Sequence, residues 1–173
     1  PSNAGALGVT GTASANALAA EADVVLAVGT RLADFPTASR TIFKNPKVKL
    51  VQLNVGAFDA AKHGALPLVA DARDGLDALG VKLGRWQAPA PWTAKAARLN
   101  RVWARVAAKA VAPVLGPPTD ANVLGVVNRV ALEGPHVMVC AAGGLPGELH
   151  KLWRAADSAS YHVEYGYSCM GYE

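Results

Sequence analysis

The chain has 173 residues, 51% of them apolar, which suits one compact domain or two incomplete ones. Its net charge of +4 is mild and scattered. The densest basic groups, Lys44–Lys49 and Lys95–Lys109, are not interleaved with stacking aromatics, which argues against a nucleic-acid partner.

In chain order, Gly5–Gly11 is a glycine-rich opening, and Thr12 or Ser14 can cap a helix over Ala15–Ala22. Asp23–Val28 is a continuous apolar run, the mark of a parallel strand covered on both faces, closed by Gly29-Thr30-Arg31-Leu32. A short helix is expected over Pro36–Phe43, a strand over Lys49–Asn54, and a shorter strand over Leu68–Ala70. Asp71–Leu79 reads as a helix with Ala72, Leu76 and Leu79 on its inner face. Strand and helix alternate throughout 1–80, which predicts a Rossmann-like α/β layer. Residues 81–118 form a linker and connecting helix. Pro89 and Pro91 keep the linker extended, and Ala96, Leu99, Val102, Trp103 and Val106 form the buried stripe of a helix over Trp92–Val111. From 119 onward a last region begins, with Thr119 capping a helix packed through Val123, Val126, Val127 and Val130.

The end of the chain carries the motifs. His136–Ala142 is an apolar run ending in Gly143-Gly144, and Leu145–Trp153 can start a helix with Pro146 in its first turn. Strand, glycine loop and helix N-terminus aim backbone N–H groups at one spot, which favours an anion. Gly166–Gly171 is a glycine-bracketed loop with one bulky apolar side chain, Met170. On the residues alone, a glycine pair after a strand also reads as a turn, and such a methionine as a gap filler. The two cysteines, Cys140 and Cys169, suggest neither a disulfide framework nor a zinc site. His63, His136, His150 and His162 lack metal spacing; His136 reads as structural, and His150 as a weak candidate for ligand contact. No apolar run reaches membrane length and no signal peptide is visible, so a cytoplasmic protein with no membrane partner is expected. The chain opens Pro1-Ser2-Asn3 without an initiating Met and ends at Glu173 inside a motif, so a piece of a longer enzyme is expected.

The pattern Gly-x-x-x-Met-Gly-Tyr at Gly166–Tyr172 resembles the thiamine-diphosphate enzymes of the acetolactate synthase type. ADVVLAVGTRLADF, VQLNVGAFDAAKH and LVADARDGLDAL are similar to the central domain of that family. The resemblance implies that 1–80 is a partial central domain whose first strands precede Pro1. It also implies that 119–173 starts the α/β domain that binds the cofactor, with its first helices and strand. AAGGLPGELHKLW and EYGYSCMGYE are most similar to members that open a six-membered cyclic dione by C–C hydrolysis in inositol breakdown. Gly143, Gly144 and Leu145 would then meet the diphosphate. The Ser168 carbonyl would accept from the cofactor's 4′-amino group. The Met170 N–H would donate to its pyrimidine, and the Met170 side chain would be the wedge under the bent cofactor, so that loss of the thiazolium C2 proton is intramolecular.

No catalytic side chain and no metal ligand can be named in this chain. The family's Mg²⁺ loop, Gly-Asp-Gly followed by Asn, is missing; Asp74-Gly75 follows Arg73 on a helix of the other region. The activating glutamate belongs to an N-terminal domain, and the family's cofactor lies between subunits, so a homodimer or homotetramer is implied. The chain alone is expected to be inactive. Two other readings stay open: an acetolactate synthase-like decarboxylating ligase, and a non-catalytic module holding FAD or ADP at Gly29, Thr30, Arg31 and Asn54. FAD is not favoured, since a phosphate fingerprint is lacking.

Overall fold

The computed structural model describes residues 3–164 and 169–173. It contains two compact units, one ending at Asn100 and the other starting at Arg101. The division falls within one long helix, inside the 81–118 segment.

In the first unit, Thr12 organises the start. It caps α1 (Ala13–Glu21) by accepting from the Ala15 N–H at 3.1 Å, and it donates to the Ala4 carbonyl at 2.5 Å. Then follow β1 (Val24–Val28), the short α2 (Asp34–Thr37), β2 (Lys49–Asn54), the short α3 (Ala57–Ala60), a 3-10 turn at Lys62–Gly64, β3 (Leu66–Val69) and α4 (Ala72–Leu83). The three strands lie in the order β1-β2-β3, all parallel, with Leu26 opposite Val51 and Leu53 opposite Leu68. This is the expected Rossmann-like α/β layer, and the strand at Lys49–Asn54 has its expected bounds.

Three local expectations fail. α4 meets the sheet through Gly75, not Leu76. A Cβ on Gly75 would lie 2.5 Å from Cδ1 of the buried Leu53, so glycine lets helix and strand approach closely, and Leu76 is turned out. β1 is not covered on both faces in this chain: Val24 and Leu26 are exposed, and the close approach of α4 is at Leu53. The helix expected over Pro36–Phe43 ends at Thr37. Ala38, Ser39 and Arg40 turn left-handed at φ 47°, 52° and 68°.

The long helix α5 (Ala90–Ala110) is tied back within the first unit by a Lys95–Glu21 ion pair and by Asn100 donating to the Asn3 carbonyl at 3.0 Å. In the second unit come α6 (Asp120–Ala131), β4 (Met138–Cys140), α7 (Gly144–Leu152) and β5 (Tyr161–Val163). Leu124, Cys140, Leu149 and Leu152 form its buried core, with Trp103, Ala107 and Val111 packed against them. The α5 stripe thus follows Trp103 and Ala107, with Val111 just past the helix end; Val102 and Val106, expected inside, are exposed. Thr119 caps α6 in a capping box with Asn122.

The expected inner face of α6 is the outer one. Val123, Val126, Val127 and Val130 are all exposed, while Leu124, Gly125, Asn122 and Asn128 are buried. Both sets have helical spacing, so periodicity alone could not choose between them. Directional bonds decide. The Asn122 amide donates to the carbonyls of Ala110 at 3.0 Å and Ala112 at 2.7 Å. The Asn128 side chain pairs with both the N–H and the C=O of Arg154, at 3.1 and 3.0 Å. Gly125 lies against the Val111 carbonyl, where a Cβ would come within 2.2 Å. Gly125→Ala is therefore expected to cost about 2–3 kcal/mol in urea unfolding. Gly134→Ala, with nothing within 4 Å of its Cβ, should stay within about 0.5 kcal/mol of the parent chain.

Candidate functional site

β4 and β5 pair in parallel, with Met138 opposite Tyr161, Val139 opposite His162 and Cys140 opposite Val163. Backbone bonds extend the pairing at both ends, from the Met138 N–H to the Ser160 carbonyl at 2.9 Å and from the Glu164 N–H to the Cys140 carbonyl at 3.1 Å. Parallel strands leave a sheet on the same edge. The loop after β4, which holds Gly143 and Gly144, and the chain after β5, which leads toward Met170, therefore start side by side. β5 was not anticipated. Its signal is the short alternation Tyr161-His162-Val163-Glu164, too brief to stand out beside the glycine loop.

Gly143 caps α7 with φ 149° and ψ −175°, a backbone region essentially reserved for glycine. No side chain caps this terminus. Gly143, Gly144 and Leu145 are exposed, and nothing lies within 4 Å of where a Gly144 Cβ would be. Pro146 sits in the first turn, where its missing N–H costs little. The helix start is thus an accessible, side-chain-free set of N–H donors, the geometry that suits an anion. Met170 is 81% exposed and belongs to no core. Cys169 is also exposed, and Gly171 follows Met170 at φ 90°. Ser168 lies outside the described residues.

The other singled-out residues pack near this sheet. His136 meets Trp153 edge-on at 6.1 Å, and His150 meets Tyr161 edge-on at 6.2 Å. The Tyr161 hydroxyl lies 3.7 Å from the Cys140 sulfur; burial first, and then that contact, push it above the ordinary tyrosine range. Burial holds His150 below the ordinary imidazole range. Glu148 pairs with Lys151 at 2.6 Å. Among the described residues no three His, Cys, Asp or Glu side chains gather as a metal site.

In the first unit the strand ends are tied to each other. The Gly29 N–H donates to the Leu53 carbonyl at 2.9 Å. The Asn54 amide donates to the Thr30 carbonyl at 3.2 Å and accepts from the Gly56 N–H at 2.9 Å. Arg31 stands 4.0 Å from Asp59, whose carboxyl is held below its usual range chiefly by a hydrogen bond from Lys62. Of the residues considered for a nucleotide, Gly29, Thr30 and Asn54 are thus engaged in closing the turns, and the Arg31 side chain is exposed.

The lowered His150 pKa has a signed consequence. The folded chain favours neutral imidazole, so its contribution is complete above the ordinary imidazole pKa and is lost as pH falls through the folded value. Urea midpoints should drop between about pH 7.5 and pH 5.5. The drop should be smaller in His150→Gln; equal slopes would show that this imidazole is not the group responsible.

The thiamine pyrophosphate enzyme central-domain family matches residues 1–79. Over nearly the whole chain, similarity extends to proteins named 3D-(3,5/4)-trihydroxycyclohexane-1,2-dione hydrolase. The one from Halalkalibacterium halodurans is 39% identical over 194 residues, covering 99% of this chain and 30% of the relative. One from Bacillus cereus is 35% identical over 198 residues, covering 100% and 31%. One from Clostridium tetani is 34% identical over 196 residues, covering 99% and 30%. The chain thus spans less than a third of the length of the curated relatives it matches. Among the described residues no helix is long and apolar enough to cross a membrane. The likeness is thus to the central domain of the thiamine pyrophosphate enzymes through residues 1–79, and to the dione hydrolases through nearly the whole chain.

Proposed function

We propose that the chain is part of a cytoplasmic, thiamine-diphosphate- and Mg²⁺-dependent enzyme that opens a cyclic 1,2-dione by hydrolytic C–C cleavage in inositol breakdown. The observation that carries this reading is the common edge of β4 and β5, from which the glycine loop and the Met170 segment both start. Likeness over 99% of the chain to a protein named a dione hydrolase supports the substrate class.

The residues present fit the cofactor. Gly143 holds a backbone that a side chain would strain, and the uncapped start of α7 leaves Gly144 and Leu145 N–H groups for a diphosphate. The Ser168 carbonyl would orient the cofactor's amino group, and the Met170 N–H and side chain would hold the pyrimidine and keep the cofactor folded. When bound, the thiazolium ring supplies an electron sink for breaking a bond beside a carbonyl. Positioning is this chain's contribution; the carboxylate that activates the cofactor and the hard oxygen ligands of Mg²⁺ would come from elsewhere in the assembled homodimer or homotetramer. The 173-residue chain alone is therefore inactive.

Calorimetry of the 173-residue chain with thiamine diphosphate and Mg²⁺ should show no micromolar binding; such binding would overturn the division of labour. In the full-length parent, Met170→Ala should lower turnover of a cyclohexane-1,2-dione about tenfold or more. Its unfolding midpoint should fall far less than turnover does, since the side chain belongs to no core of this chain. Turnover of pyruvate in place of the dione would favour the decarboxylating ligase.

A further inference from the structure

The first unit contains a cavity of about 450 Å³, within the range of small-molecule sites. It lies beside the starts of β2 and β3, not at the carboxyl ends where ligands of parallel sheets usually sit. Arg40, Lys49 and His63 line it, and no Asp or Glu does. Neither Arg40 nor Lys49 has a carboxylate partner among the described ion pairs. Two unneutralised cations thus share one concave space, and the field inside it is positive. The remaining lining is mostly apolar, with Phe43, Leu50 and Leu66 the larger side chains.

The backbone that presents these groups is strained. Ala38, Ser39 and Arg40 occupy the left-handed region in succession without a glycine among them, and His63 does so at φ 61°. Such runs are rare in L-residues and persist only when neighbours hold them. Buried Thr37 holds the first: its hydroxyl donates to the Ala33 carbonyl at 2.8 Å and accepts from the Arg40 N–H at 3.1 Å. The second is held by the His63 ring, whose Nε2 lies 2.8 Å from the Leu32 carbonyl.

We propose that this cavity binds a small organic anion, its phosphate or carboxylate met by Arg40 and Lys49 and its apolar body resting on Phe43, Leu50 and Leu66. The proposal concerns the first unit alone and does not depend on the cofactor reading.

The test is amide-shift titration of the 173-residue chain with phenyl phosphate, benzoate and, as the neutral probe, phenol. Phenyl phosphate or benzoate should shift residues 37–43, 48–51 and 63–66, and the tighter of the two identifies the anionic group. Arg40→Gln and Lys49→Gln should each weaken that probe about tenfold, as loss of a charge-assisted hydrogen bond does. Lys44→Gln, which removes a charge outside the cavity, should leave it unchanged. Absence of binding by both anions, equal binding of phenol, shifts centred elsewhere, or unchanged affinity in the two cavity variants would each overturn the proposal.

Discussion

Parallel pairing of β4 with β5 is the constraint on which the second unit depends. A tight turn cannot join parallel strands, so the chain must cross back over the sheet, and α7 is that crossing. Leu149 and Leu152 hold it in the core. The return is closed by a small polar knot in which buried Ser160 donates to the Asp157 carbonyl at 3.0 Å and accepts from the Asp157 N–H at 3.0 Å. Ser160 then offers its carbonyl to Met138, which fixes the register. The glycine loop and the Met170 segment owe their shared starting edge to this chain of contacts.

The two ends of the first sheet contrast. At the carboxyl ends, Asn54, Gly29 and the Arg31–Asp59–Lys62 group satisfy one another. Beside the amino ends of β2 and β3 the charges are unmatched and the backbone is strained. Exposed cations facing one concavity repel each other modestly in water, yet they become effective toward a partner that brings the opposite charge and excludes solvent.

Much of the architecture was legible because it rests on local rules. Thr12, Asp71 and Thr119 announce helix starts through side chains that reach the first free N–H groups. β2 declares itself by an apolar run of strand length, and α7 by a glycine pair ahead of Pro146. The misread parts depend on distant partners. Nothing in the spacing of the valines of α6 says that Asn122 and Asn128 will be bonded inward, because the carbonyls they meet lie at the end of another helix and beyond α7. Nothing in Thr-Ala-Ser-Arg signals three left-handed residues, since no glycine marks them. At the candidate cofactor site, the strand, glycine pair and helix start could be read directly. The neighbouring strand β5 could not, because three residues carry too little periodicity.

The seating of α6 by amides has a wider implication. Apolar contacts tolerate rotation of a helix about its own axis, whereas paired hydrogen bonds to Arg154 and to the end of α5 do not. The roll of α6 is therefore fixed independently of its outward surface. The inward asparagines anchor a frame that the four valines of the other side take no part in. The orientation of the helix is thus locked from within, whatever its valine side meets.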